Sequence, residues 1–160
     1  INTKEFVRDV TIDSDFSLLF PDDYVNNITE RLSLYTQLNT LKNEEELQRF
    51  ERDLIDRFGA LPTQVVDLLD SVRIKWLATT LGFEKVVMKN HKLVGYFISD
   101  QDSRFYQSVH FSKVLQYVQT HPKACTVKEK QMRMGLRLLM TFSNIDSVRQ
   151  GLEAMKPILA

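Results

Sequence analysis

The stretch FEKVVMKNHKLVGYFIS, residues 83–99, decides the fold. Two short runs rich in β-branched and aromatic residues, FEKVVMK and KLVGYFIS, are separated by Asn90 and His91 alone. So short a connection between such runs reads as a hairpin. A hairpin implies antiparallel pairing, so the sheet here is joined locally rather than through crossover helices.

Working outward, a helix is expected around Val109 to Thr120, stopped by Pro122, followed by a second strand pair, ACTVKEK and GLRLLMTF. Ser143 and Asp146 are expected to open a last helix carrying Val148, Leu152 and Met155. Upstream, Pro21 with Asp22 and Asp23 reads as a turn. Asn27 with Glu30 has capping-box spacing, and Ile28, Leu32, Tyr35 and Leu38 then recur at helical spacing as far as Thr40. Asn43 and Glu46 repeat the cap, with Glu44 and Glu45 at the positive helix end. Leu47, Phe50, Leu54 and Phe58 form the second helix's apolar stripe, and Gly59 stops it in an expected left-handed conformation. Pro62 and Thr63 open a third helix, with Val66, Leu69, Val72 and Trp76 expected on its buried side until Gly82. Residues 5–12 alternate like a strand. The order is three N-terminal helices followed by β-β-α-β-β-α, which predicts an α+β fold with a mostly antiparallel sheet packed with helices.

The 160 residues suit a single domain, and 43% hydrophobic with 26% charged residues is an ordinary globular composition. No apolar run approaches the ~18 residues of a membrane span, and no signal peptide is recognisable, so no membrane partner is expected. The single cysteine, Cys125, excludes an internal disulfide framework and fits a reducing, cytoplasmic setting. An Ile start leading straight into a strand-like run reads as a cut from a longer polypeptide. Net charge is zero but uneven: residues 1–80 hold 9 Lys/Arg and 15 Asp/Glu, residues 81–160 hold 12 and 6. That asymmetry suits an acidic face meeting a basic partner, or simply solvated helices in the first half.

Enzyme motifs are scarce. The five glycines are too scattered for a phosphate loop or a dinucleotide fingerprint. His91, His110 and His121 have no second His or Cys at ligand spacing, so no metal is expected. Cys125 has no partner base, and Asp22 with Asp23 reads as turn chemistry rather than a carboxylate pair. Lys128, Lys130, Arg133 and Arg137 form a basic patch that suits either a solvated strand or phosphate contact. The second helix carries the remaining candidate. Asp53, Asp56 and Arg57 stand at i, i+3 and i+4 and project from one side. Arg52–Asp56 and Asp53–Arg57 pairs are available there, each worth only ~0.3–0.5 kcal/mol. An Asp in the last turn also opposes the helix dipole. The residues alone leave two readings open: a solvated helix end, or a face built to receive an Arg-containing partner.

The segments LFPDDYV, RLSLYTQL, LIDRFGALP and LLDSVRIKWLATTLG resemble, in that order, the C-terminal domain of the bacterial transcription-repair coupling factors (Mfd). The resemblance is dense from about residue 18 to 82 and beyond that rests on element order. It implies a bacterial cytoplasmic parent, an ATP-dependent translocase on duplex DNA that displaces stalled RNA polymerase and recruits UvrA. ATP and Mg would belong to the motor domains, with no cofactor in this one. The terminal domain would be a non-catalytic, autoinhibitory clamp on the UvrB-homology module of the same chain. The resemblance places that contact at Asp53, Asp56 and Arg57, and gives Phe58, Gly59 and Pro62 structural roles. Residues 1–17 would be the tether from the motor, and 18–160 the domain itself. The alternative is a nucleic-acid-binding accessory domain using the basic patch.

Overall fold

The computed structural model describes residues 6–160. In chain order the elements are β1 (Thr11–Ser14), α1 (Ile28–Thr40), α2 (Glu44–Phe58), α3 (Thr63–Leu81), β2 (Phe83–Lys89), β3 (Lys92–Phe97), α4 (Val109–Thr120), β4 (Cys125–Met132), β5 (Gly135–Ser143) and α5 (Val148–Met155). Short 3-10 turns occupy Arg104–Gln107 and Lys156–Leu159. No helix among the described residues is long and apolar enough to cross a membrane. The chain forms two compact units, one of residues 6–16 with Ile74–Ala160, the other Ser17–Arg73.

The first unit is built on a five-stranded sheet of order β1-β2-β3-β5-β4. β2 and β3 form the expected hairpin, turning at Asn90 and His91 with φ of 53° and 64°. β3–β5 and β4–β5 are also antiparallel, while β1 lies parallel to β2. The α+β reading with a mostly antiparallel sheet therefore holds, with one parallel edge. The opening strand begins later than its alternation suggested, at Thr11, and Glu5 lies outside the described residues. Val7 and Val10 are both buried, and their three-residue spacing cannot put both on one face of a strand.

One sheet face supplies the core through Val86, Met88, Leu93, Phe97, Met140 and Phe142. Gly151 of α5 lies against it, so near that an added Cβ would fall 2.9 Å from Leu93 and 3.2 Å from the Met88 sulfur. Phe97 meets Phe83 at 4.9 Å and Phe111 at 5.7 Å between ring centres. The last helix starts at Val148 behind a Ser147 cap whose Oγ accepts from the Gln150 N–H at 3.1 Å. Ser143, expected to start that helix, instead ends β5, because the backbone turns sharply at Asn144 with φ 61°.

The second unit holds α1, α2 and the first part of α3. Both Asn caps form as expected, accepting from Glu30 N–H at 3.0 Å and Glu46 N–H at 2.9 Å. The buried stripe of α1 is Leu34 and Leu38, whereas Ile28 and Leu32 are 64% and 61% exposed. The helix carries two overlapping apolar series, and tertiary packing uses only one. α3 buries Val65, Leu68 and Leu69 and exposes Val66, since its dense apolar run allows more than one periodic reading. It also encloses an acid that the apolar pattern concealed. Asp70 is 0% exposed and accepts from Arg73 Nη1 at 2.8 Å, while Glu44 grips the same guanidinium through bonds of 2.8 and 2.7 Å. Hydrogen bonding from Glu44 first, and from Asp70 as well, overcomes desolvation and holds Arg73 firmly in its charged form.

Candidate functional site

The site is the C-terminal end of α2. Three glutamates in the first turn and Arg57 in the last match the helix dipole, and Leu47, Phe50 and Leu54 fix which face turns inward. The outer side then presents Asp53, Asp56 and Arg57, all exposed, as the spacing requires. Together with Leu34 and Gln37 of α1 and with Phe50 and Leu54, they line a shallow groove of about 120 Å³.

Arg57 does not pair with Asp53. Its Nη2 donates to Glu30 Oε2 of α1 at 2.6 Å, and its guanidinium lies 4.8 Å from the Phe58 ring centre. Glu30 looked like the second half of a capping box; its carboxylate instead bridges two helices. Asp53 and Asp56 form no ion pair among the described residues, and neither does Arg52. The helix end thus carries two uncommitted carboxylates beside a guanidinium that is already held in place.

The turn after the helix is tied down by a residue whose importance was not legible. Tyr24 Oη donates to the Gly59 carbonyl at 2.7 Å, its ring meets Phe58 at 5.6 Å, and burial pushes its phenol up. In PDDYV only turn chemistry was evident. Gly59 has φ 94° and ψ −168°, beyond the left-handed helical region expected, in territory that essentially only Gly occupies. Its N–H donates to Ile55 O at 2.9 Å, closing the helix. Phe58 is half-buried, and the Pro62 carbonyl accepts from Val65 and Val66 N–H at 3.0 and 3.1 Å to open α3.

Several other candidates are drawn into structural roles. Pro21 O accepts from Tyr24 and Val25 N–H, making the Asp22–Asp23 segment a turn. His91 contacts Asp146 at the hairpin, and His121 stacks on Tyr117 at 3.9 Å. Cys125 is buried, and burial raises its thiol away from the reactive thiolate. Among the described residues no group of three or more His, Cys, Asp or Glu is arranged to hold a metal. Of the basic patch, Lys128, Lys130 and Arg133 are exposed, but Arg137 bonds Glu84 at 2.9 Å and the Phe97 carbonyl at 2.8 Å.

A family model described as the TRCF domain matches residues 14–108, which include the whole α2 site. The chain is 30% identical over 140 residues to the transcription-repair-coupling factor of Rickettsia bellii, covering 88% of this chain and 12% of that protein. It is 34% identical over 130 residues to the Rickettsia conorii protein of the same name, covering 81% and 11%. Against the Escherichia coli transcription-repair-coupling factor, identity is 41% over 68 residues, covering 42% and 6%. The chain therefore spans only about 12% of the length of such a relative. A crystal structure of the C-terminal domain of transcription-repair coupling factor shares the fold, with a TM-score of 0.70 over 94% of this chain and 92% of that one, at 15% identity. With more than half of its residues matched by that family model, the chain belongs to the TRCF domain family, which supplies the C-terminal domain of transcription-repair coupling factors.

Proposed function

We propose that this domain is an autoinhibitory clamp within a bacterial transcription-repair coupling factor. In this reading residues 18–160 are the clamp and residues 1–17 tether it to a motor. The clamp closes on the UvrB-homology module of its own chain, hides the surface that recruits UvrA, and restrains an ATP-dependent translocase on duplex DNA. RNA polymerase stalled at a lesion is what opens it. Catalysis, ATP and Mg belong to the motor, and the whole protein acts in the cytoplasm.

One observation carries the reading: Asp53 and Asp56 stand exposed and without ion pairs beside Arg57, which is paired to Glu30. An Asp near a helix C-terminus lowers helix stability, so its presence there is better accounted for by an outside cation. Paired carboxylates can each accept two parallel bonds from a guanidinium, which fixes orientation as well as charge. Desolvation offsets much of the attraction, so such a contact supplies specificity at modest net affinity. Within one polypeptide, high effective concentration keeps even a weak contact closed, and a partner that prefers another domain arrangement shifts it open.

The test is Asp56→Lys in the full-length parent. UvrA binding and polymerase-independent ATPase activity should both rise, by about 5-fold or more, which corresponds to ~1 kcal/mol of lost closure. A folded variant with unchanged UvrA affinity would remove this face from the clamp.

A further inference from the structure

The sheet has two unlike faces, and the core uses one of them. Alternation sends Val86, Met88, Leu93 and Phe97 inward, leaving Lys85, Val87, Val94 and Tyr96 on the other side. Strand register then assembles rows on that second face. Lys85, Tyr96, Leu139 and Lys128 stand opposite one another in turn across β2, β3, β5 and β4. Beside this row lie Arg137 opposite Lys130 on one side, and Val87, Val94 and Thr141 on the other. With strands ~4.8 Å apart, the row from Lys85 to Lys128 covers about 14 Å, and Lys128 and Lys130 are separated by about 7 Å along their strand.

Its chemistry is lopsided. Lys85, Lys92, Lys128 and Lys130 are exposed and form no ion pair among the described residues. The carboxylates that reach the strand residues of this face are already engaged, Asp13 by Lys89 at 3.2 Å and Glu84 by Arg137 at 2.9 Å. In the middle sits Tyr96, half-buried, with Lys85 Nζ and the Arg137 guanidinium over its ring at 5.6 and 5.7 Å from the centre. Half-buried Val87, Val94 and Leu139 surround it with apolar surface. Exposed lysines on the edge strand β4, and flexible ones such as Lys85 over an aromatic and apolar centre, are what an unpaired nucleotide strand needs: cations for its phosphates and a ring for its base faces. A duplex presents its phosphates outward and leaves such a centre unused.

We propose that this face binds single-stranded nucleic acid across the strands, with Lys128, Lys130 and Lys85 holding phosphates and Tyr96 stacking on a base. The surface belongs to the sheet unit and the α2 site to the other, and the proposal does not rest on the clamp.

The 160-residue chain itself is the material for the test. Fluorescence anisotropy with a labelled oligothymidylate of about 20 nucleotides should show micromolar binding near ~50 mM KCl. Three or four phosphate contacts predict a log–log salt slope of roughly −2 to −3. A duplex of the same length should bind at least about 5-fold more weakly. Lys128→Glu with Lys130→Glu should cost about 10-fold or more. Tyr96→Leu should cost about 5-fold or more with its salt slope unchanged, and Tyr96→Phe should retain binding. An oligouridylate arm distinguishes the source: a preference for one strand identifies DNA or RNA, and equal binding means the shared backbone and base chemistry suffices. Absence of oligothymidylate binding at low salt overturns the proposal. So does duplex bound as tightly as the single strand, or displacement by poly-glutamate as effective as by unlabelled oligothymidylate, which would make this a surface for acidic protein. Should Tyr96→Leu lose its fold, the paired Lys variant and the duplex comparison decide.

Discussion

Arg57 and Arg73 carry the same group in two regimes, and their stability effects should differ accordingly. Arg57 pairs with Glu30 where both side chains remain well exposed, 47% and 39%, so water already screens the attraction. Arg73 is 17% exposed and lies against a carboxylate, Asp70, that is wholly enclosed. Replacing Arg73 with Leu strips the cation from beside that buried acid and should destabilise the chain by roughly 3 kcal/mol. Replacing Asp70 with Leu as well should recover much of the loss. Urea unfolding of both variants checks this, and a double variant no better than the single one would deny the buried-charge explanation. Tyr106 gives a prediction in pH. Its hydroxyl donates to the Ile98 carbonyl, and burial pushes its pKa up from 10.0 to about 12. A raised folded-state pKa means that the folded chain retains the proton longer, so stability should fall as pH climbs from about 10 to about 12. Tyr106→Phe should flatten that decline, measured as melting temperature across the window.

Elements announced by short-range chemistry were legible in the sequence, and those needing a choice among apolar faces were not. The Asn90–His91 turn, both Asn caps and the stop at Gly59 each depend on a few adjacent residues whose backbone needs are specific. The stripes of α1 and α3 depend on which of several apolar series meets a neighbour, information absent from one helix alone. The outward direction of Asp53, Asp56 and Arg57 followed from the strong Leu47–Phe50–Leu54 stripe, but the partner of Arg57 did not. Glu30 lies 27 positions away, and the capping pattern already offered a sufficient reason for its presence. Gly59 allows a prediction at this scale. An added Cβ there would meet nothing within 4 Å, so any cost of Gly59→Ala is conformational and not steric. At φ 94° and ψ −168° that cost should be about 1–3 kcal/mol, measurable by urea unfolding. The same substitution at Gly95 should be worse, because the new methyl would fall 2.5 Å from the Phe83 ring. Equal effects at the two sites would contradict this division.

At the scale of the whole molecule, the clamp reading makes a quantitative demand on affinity. A regulatory contact must hold while domains share one polypeptide and yield when a stronger partner engages, so it cannot be tight in isolation. A tethered pair experiences an effective concentration on the order of millimolar. A dissociation constant of roughly 10 μM would then leave about 99% of molecules closed, and a bias of ~3 kcal/mol toward the open arrangement would release half of them. The chain, added in trans to an isolated UvrB-homology module, should therefore bind with a constant of about 10–100 μM. In that reading exposed charges carry the contact, so affinity should weaken by several-fold between ~50 and ~300 mM salt. Asp53→Lys with Asp56→Lys should abolish it, and since both side chains are exposed and unpaired, melting of the chain itself should shift little. Titration calorimetry or anisotropy at two salt concentrations separates the outcomes. Nanomolar binding would mean a clamp too firm to be opened by a few kcal/mol. Salt-insensitive binding would point to an apolar contact instead, for which exposed Ile28 and Leu32 of α1 and Ile55 of α2 offer surface. No binding at millimolar concentration would end the intramolecular clamp, because a tether cannot close a contact that has no affinity.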